Sequence, residues 1–133
     1  MATLSDPIAD FLTRLKNACM AGNEEFRAPH SNMKEDIAKV LKDEGYIWNF
    51  EIQNDAKGHK EILVKTKFID GESVVKEVKR VSKPGRRQYV SVSEIPYVMS
   101  GLGSSIISTS AGVMSGAQAR RKNTGGEILA FIK

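Results

Sequence analysis

Between residues 101 and 127 the chain reads Gly-Leu-Gly-Ser-Ser-Ile-Ile-Ser-Thr-Ser-Ala-Gly-Val-Met-Ser, then Gly-Ala-Gln-Ala-Arg-Arg-Lys-Asn-Thr-Gly-Gly-Glu. Ser104, Ser105, Ser108, Thr109, Ser110 and Ser115 supply hydroxyls that both donate and accept hydrogen bonds, and the interspersed glycines let backbone amides approach a partner closely. Arg120, Arg121 and Lys122 follow at once. Short neutral donors beside fixed positive charge suit a surface that meets phosphates, ribose hydroxyls and base edges together, so the partner this chemistry points to is RNA. The competing use of such hydroxyls is local, since serine and threonine often do no more than satisfy their own turn.

A second cationic cluster lies upstream. Lys79, Arg80, Lys83, Arg86 and Arg87 fall within nine residues, arranged around Pro84-Gly85, and Tyr89 adds an aromatic ring beside them. A Pro-Gly corner fixes where the charges point, which positioning on phosphate requires, and arginine can bind phosphate bidentately or stack on a base. The alternative is a solvated charge run with no partner.

Charge is divided unevenly along the chain. Residues 1–75 hold ten Lys/Arg against thirteen Asp/Glu, a net of −3, whereas residues 76–133 hold ten against three, a net of +7. A basic half joined to a mildly acidic one implies a directed positive face rather than charge for solubility alone. At 133 residues the chain is long enough for a real core, and its 41% hydrophobic and 27% charged content is ordinary for a globular protein. It carries no apolar run long enough to span a bilayer, no leader pattern and no Asn-x-Ser/Thr acceptor, which predicts a cytoplasmic protein without a membrane partner. A single cysteine, Cys19, sits among apolar residues and is expected to be a small buried hydrophobe.

The elements that would hold these clusters follow from periodicity. Asp6-Pro7 starts a helix in which Ile8, Phe11, Leu12, Leu15 and Cys19 recur at helical spacing up to Gly22, leaving Thr13, Arg14, Lys16 and Asn17 on its polar face. Residues 25–28 form a brief strand before Pro29, and Ser31-Asn32 caps a second helix, with Glu35 completing a capping box and Gly45 ending it. Tyr46, Trp48, Phe50 and Ile52 alternate as a half-buried strand, with the aromatics expected in the core. Ile62 to Phe68 and Val74 to Val81 continue a meander through turns at Asn54 to Gly58 and Asp70-Gly71. His30 and His59 have no partners at metal spacing and are expected to be exposed bystanders. From Gln88 to Ala119 the only charged residue is Glu94, so strands and tight turns dominate, with a helical turn or two from Ser115 to Arg121 and a closing strand at residues 128–132. The expected fold is α+β. An amino-terminal α-β-α-β-β lobe over residues 1–75, two helices on an antiparallel sheet, packs against a mostly β lobe with short helices over residues 76–133.

Several of these stretches occur together in one family. Ser-Asp-Pro-Ile-Ala-Asp-Phe-Leu-Thr-Arg-Leu-Lys-Asn-Ala near the start, Glu-Gly-Tyr-Ile from Glu44, Arg-Val-Ser-Lys-Pro-Gly-Arg-Arg from Arg80, Gly-Leu-Gly from Gly101, Ser-Thr-Ser-Ala-Gly-Val-Met from Ser108 and Gly-Gly-Glu from Gly125 stand in order. The chain resembles, over nearly its whole length, the bacterial form of ribosomal protein eight of the small subunit. The resemblance implies a structural constituent of the small ribosomal subunit, not an enzyme, that binds small-subunit ribosomal RNA at a central-domain helix with an internal loop and supports assembly. Some members also repress translation by binding a mimic of that helix in their own messenger RNA. Partners implied are that RNA and neighbouring small-subunit ribosomal proteins, with no cofactor and no small-molecule substrate. By the same resemblance Ser108, Thr109 and Ser110 reach the RNA minor groove, Gly112 and Glu127 support that loop, and Arg14 and Asn17 on the first helix make a secondary contact. Lys83, Arg86, Arg87, Tyr89, Arg120, Arg121 and Lys122 complete the candidate set.

The rival class is an enzyme with a serine nucleophile or a bound nucleotide. Gly101-x-Gly103 lacks the third glycine of a dinucleotide fingerprint, because Ile106 holds that position, and no phosphate loop of the Gly-x-x-x-x-Gly-Lys-Ser/Thr type exists. Ser31 to Lys34 and Ser73 to Lys76 match Ser-x-x-Lys without the companion motifs of a site, and the two histidines lie far from the serine clusters.

Overall fold

The structure, a computed structural model, describes residues 6–95 and 103–133. The sequence features placed on Ser5, Gly101 and Leu102 lie outside the described residues. Helix α1 (Pro7–Ala21) starts where Asp6 Oδ1 accepts the Ala9 amide at 3.1 Å, and it buries Phe11, Leu12, Leu15, Ala18 and Cys19 along one stripe. Strand β1 (Glu25–Pro29) leads into α2 (Asn32–Asp43), which buries Ile37, Ala38, Val40 and Leu41. The end of α2 is a Schellman motif: Gly45 takes φ of +82°, Tyr46 N donates to Leu41 O at 2.8 Å, and Gly45 N donates to Lys42 O at 3.1 Å.

The first sheet has the order β1-β3-β2, all antiparallel, with β2 (Ile47–Asn54) and β3 (Lys60–Thr66) joined by a turn. Both helices pack on one face of it, over Ile62 and Val64. The opposite face is charged: Arg27 bonds Glu61 at 2.7 Å and Gln53 at 3.1 Å, while Lys65 pairs with Glu25. A two-stranded hairpin, β4 (Phe68–Ile69) and β5 (Glu72–Ser73), follows.

The second sheet is built on β10 (Gly126–Ile132). β6 (Val78–Arg80) and β7 (Tyr89–Val90) pair with one edge of β10, β8 (Ser104–Thr109) with the other, and β9 (Gly112–Ser115) with β8. A 3-10 turn at Val92–Glu94 and a short α3 (Gly116–Arg121) cover one face, where Ile95, Ile107, Met114, Ala119 and Ile128 form a small cluster. From the other face Ile106, Leu129, Ala130 and Ile132 join Phe11, Leu15, Ile37, Leu41, Ile62 and Val64 in one core. A bulge between Ile128 and Ala130 lets Leu129 and Ala130 both enter that core.

The architecture is the α+β arrangement that the periodicity predicts, with four local corrections. The expected third strand of the meander, Val74 to Val81, does not extend the first sheet: only Val78–Arg80 is strand, and it pairs with β10. Alternation specifies that a segment can be half buried but not which sheet receives it. Trp48 is not core. A register shift between Ile47 and Asn49 turns the indole outward, 57% exposed, with Lys67 Nζ 4.6 Å from the ring centroid. Glu35 does not close a capping box on α2: Ser31 Oγ accepts Lys34 N at 3.2 Å, and Glu35 bonds His30 Nε2 at 2.8 Å. His30 is accordingly part-buried and partnered, whereas His59 is exposed. Cys19 is buried as expected, and burial pushes its thiol pKa up.

Candidate nucleic-acid interface

The second sheet places Tyr89, Glu127 and Ser108 at one of its ends. In an antiparallel sheet directly opposed residues share a face. Tyr89 on β7 opposes Glu127 on β10, Glu127 opposes Ser108 on β8, and Ser108 opposes Val113 on β9. These residues form a row across four strands on the face that, two rungs further on, delivers Ile106 and Ala130 to the core. The row is where that face leaves the core: Tyr89 is 69% exposed and Glu127 is part-buried.

Beyond Ser108 the hairpin closes through residues 110 and 111, with Thr109 opposite Gly112. Gly112 adopts φ of +118°, which an L side chain rarely takes. Thr109 Oγ1 donates to Gly112 O at 2.8 Å and accepts Ala111 N at 3.0 Å, so this hydroxyl is committed to its own turn. Ser110 is exposed at the tip and makes no side-chain hydrogen bond among the described residues. Gly125 and Gly126 are required by packing. A Cβ on Gly125 would stand 2.3 Å from Val90 O, and one on Gly126 would stand 2.2 Å from Ser108 O.

The basic corner is a tight turn closed on itself, with Arg86 N donating to Lys83 O at 2.8 Å and Lys83 N donating to Arg86 O at 3.1 Å. Beneath it Ser82, fully buried, donates through Oγ to Glu127 Oε2 and accepts Gln88 N at 3.0 Å. Arg87 Nη1 lies 2.9 Å from the same Glu127 oxygen. Burial works to raise the pKa of Glu127, but hydrogen bonds from Ser82 and Arg87 and the Arg87 charge outweigh it and hold the carboxyl below its usual value. The partnership in turn raises the pKa of Arg87.

The five cations of the upstream run therefore do different things. Lys83 and Arg86 are exposed with no acidic partner among the described residues, Arg87 is held by Glu127, and Lys79 is exposed on β6. Arg80, only 9% exposed, bonds both carboxylate oxygens of Asp6 at 3.2 Å and donates to Leu129 O at 2.7 Å, which ties the start of α1 to the second sheet.

The remaining candidates lie elsewhere. Arg120 donates to Ile95 O at 3.4 Å, and Arg121 and Lys122 are exposed at the carboxy-terminal end of α3. Lys122 lines a groove of about 300 Å³ with Gly112 and Val113 of β9 and with Asp36 and Asp43 of α2, so it neighbours the hairpin rather than the corner. Arg14 bonds Asp10 at 3.0 Å and the Arg27 carbonyl at 3.0 Å beside β1, and Asn17 is exposed on α1. Sequence reasoning missed Ser82, whose signal is a neutral residue placed between cations, and Arg80, which nothing in a charge run separates from its neighbours.

These features define an α+β protein of two main sheets sharing one core, with hydroxyls, an aromatic ring and the exposed cations Lys83 and Arg86 gathered at one end of the second sheet. The sequence matches the family described as ribosomal protein S8 over residues 6–132, and the chain belongs to that family. It is similar to the small ribosomal subunit protein uS8 of Opitutus terrae, 49% identical over 129 residues that cover 97% of this chain and 99% of the relative. It is also similar to the proteins of the same name from Hyphomonas neptunium, at 50% identity with 97% and 98% covered, and Stenotrophomonas maltophilia, at 47% with 98% of each covered.

Proposed function

We propose that this chain is a constituent of the small ribosomal subunit in the cytoplasm and binds small-subunit ribosomal RNA through the outer end of its second sheet. The observation that carries the proposal is the row Tyr89, Glu127 and Ser108, with the exposed Ser110 hydroxyl at the hairpin tip on one side and the Lys83/Arg86 corner on the other. The names of the relatives support the subunit, and the residues support the polymer. An A-form helix offers a wide, shallow minor groove lined with 2′-hydroxyls, which serine hydroxyls match as donors and acceptors, while unpaired bases offer faces on which Tyr89 can stack. Lys83, Arg86, Arg121 and Lys122 supply affinity by displacing counterions from phosphate. Arg14 and Asn17 on α1 provide a second, weaker contact.

The test is binding of the purified protein to two RNAs of equal length, a helix with an internal loop of unpaired bases and a perfect duplex. Hydroxyl contacts to the minor groove alone are shape-general, so the looped helix binds better only if unpaired bases are read. Equal affinity for the two RNAs overturns the proposal.

A further inference from the structure

An acidic residue in the middle of the proposed RNA-binding surface opposes affinity for phosphate. Of the three acids in residues 76–133, Glu77 pairs with Lys133 at 2.9 Å and Glu94 accepts from Ser91 at 2.7 Å. Glu127 alone of the three takes an arginine from the basic corner, and it does so between the strand that leads to the hairpin tip and the strand that carries Tyr89. The buried Ser82 hydroxyl fixes the carboxylate from below. The arrangement keeps Glu127 ionised and keeps Arg87 occupied.

We propose that Glu127 is a specificity-determining residue of the RNA interface: it withholds the Arg87 guanidinium from phosphate and sets a fixed negative charge beside Ser108 and Tyr89 that rejects RNA presenting a phosphate at that point. The proposal rests on the RNA-binding function given above. Its physical basis is that discrimination is a difference of affinities, and a repulsive element against the wrong partner widens it as effectively as a new contact to the right one. A regular duplex slid across this end of the sheet brings backbone phosphates over the row. Glu127 penalises that placement, whereas a helix whose unpaired bases fill the row keeps its phosphates at Lys83 and Arg86.

The experiment measures binding to the looped helix and to the perfect duplex across a salt series, for wild type, Glu127→Gln, Arg87→Gln and the double variant. Glutamine keeps an oxygen to accept from Ser82 but removes the charge that holds Arg87. In Glu127→Gln the released Arg87 reaches phosphate. The plot of log affinity against log salt for the duplex then steepens by about 0.7 to 0.9, and duplex binding at 0.1 M salt rises on the order of sixfold, the effect of one further counterion released. Preference for the looped helix shrinks correspondingly. Adding Arg87→Gln returns the slope to that of wild type. Arg87→Gln alone lowers affinity for both RNAs, because the carboxylate is unmasked, but leaves both slopes in place. An unchanged duplex slope in Glu127→Gln, or a slope lost in Arg87→Gln alone, overturns the proposal. Should Glu127→Gln fail to fold, the Arg87→Gln slope still decides. Failure of the underlying function looks different: wild type then shows no preference for the looped helix at all.

Discussion

Replacing Gly126 by Ala tests how closely the hairpin strand and the closing strand must approach. A Cβ at Gly126 would sit 2.2 Å from Ser108 O, 3.0 Å from Ser108 C and 3.2 Å from Thr109 Cα, where ordinary contact begins at 3.4 Å. Every colliding atom is backbone, so no rotamer change relieves it, and β8 and β10 must separate locally by about an ångström. Overpacking of this kind costs about 1 to 3 kcal/mol. Loss of a ladder hydrogen bond adds about 1 kcal/mol. The reduced freedom of the unfolded chain returns about 0.4 to 1 kcal/mol. A net loss of about 2 kcal/mol lowers the melting temperature by roughly 8 °C, at about 4 °C per kcal/mol for a chain of this size. Because the separation falls at the Glu127 and Ser108 rung, the hairpin tip also moves relative to the corner. Binding of the looped RNA, measured well below the melting transition, is therefore expected to weaken more than the unfolded fraction explains. Melting is followed by calorimetry, with Gly58→Ala as the comparison, since that glycine has positive φ but nothing within 4 Å of a Cβ. A Gly126→Ala protein melting within about 2 °C of wild type refutes the close-approach argument.

Three further outcomes follow from the same geometry. Arg86→Ala removes an exposed cation and should flatten the salt dependence of RNA binding by about 0.7 to 0.9, whereas Ser110→Ala should keep the slope and lower affinity for the looped helix alone; Thr109→Val, which breaks the hairpin's own bonds, should appear first as a lower melting temperature. Truncation after Val75 removes Ile106, Leu129, Ala130 and Ile132 from the shared core, so the fragment should lack a cooperative melting transition, the reverse of what two helices and a meander suggest by themselves. The folded pKa of Glu127 lies below its unfolded value of about 4.3, so its contribution to stability is present in full above that value and is lost as pH falls; an acid titration of melting temperature should be shallower in Glu127→Gln than in wild type below about pH 5.

Much of the fold is legible in the sequence because the signals are local. Asp6-Pro7 and Ser31 mark helix starts through side chains that accept amides three residues on, and Gly22 and Gly45 mark ends because only glycine takes positive φ without strain. What is not legible is pairing between distant segments. Val78–Arg80 has the same alternation whether it extends the first sheet or lies on β10, and Trp48 turns outward through a one-residue bulge that leaves no mark in composition. Glu35 sits at the spacing that suits a cap at Asn32, yet the cap is Ser31, so the third helical position falls to Lys34 and Glu35 bonds His30 instead. At the site, Ser108 and Glu127 are legible as residue types, but their opposition across β8 and β10 and the buried Ser82 beneath them belong to tertiary structure.

The same limit governs charge. Residues 76–133 carry ten Lys/Arg, and charge count alone does not separate those committed to the fold from those left for phosphate. The structure assigns half of them internal work: Lys76 pairs with Glu72 at 3.2 Å, Arg80 with Asp6, Arg87 with Glu127, Lys133 with Glu77, and Arg120 bonds the Ile95 carbonyl. Lys79, Lys83, Arg86, Arg121 and Lys122 are left exposed and form no ion pair within 4 Å among the described residues, although the charge of Lys79 acts on Glu77. At about 0.7 to 0.9 per phosphate contact, those five limit the slope contributed by this half to roughly 3.5 to 4.5, where ten would give roughly 7 to 9. Under the proposed function, affinity of that size would position the protein on RNA and leave discrimination to the short neutral groups of the row, so that a single carboxylate among them, Glu127, would weigh as much in the choice of RNA as the cations around it.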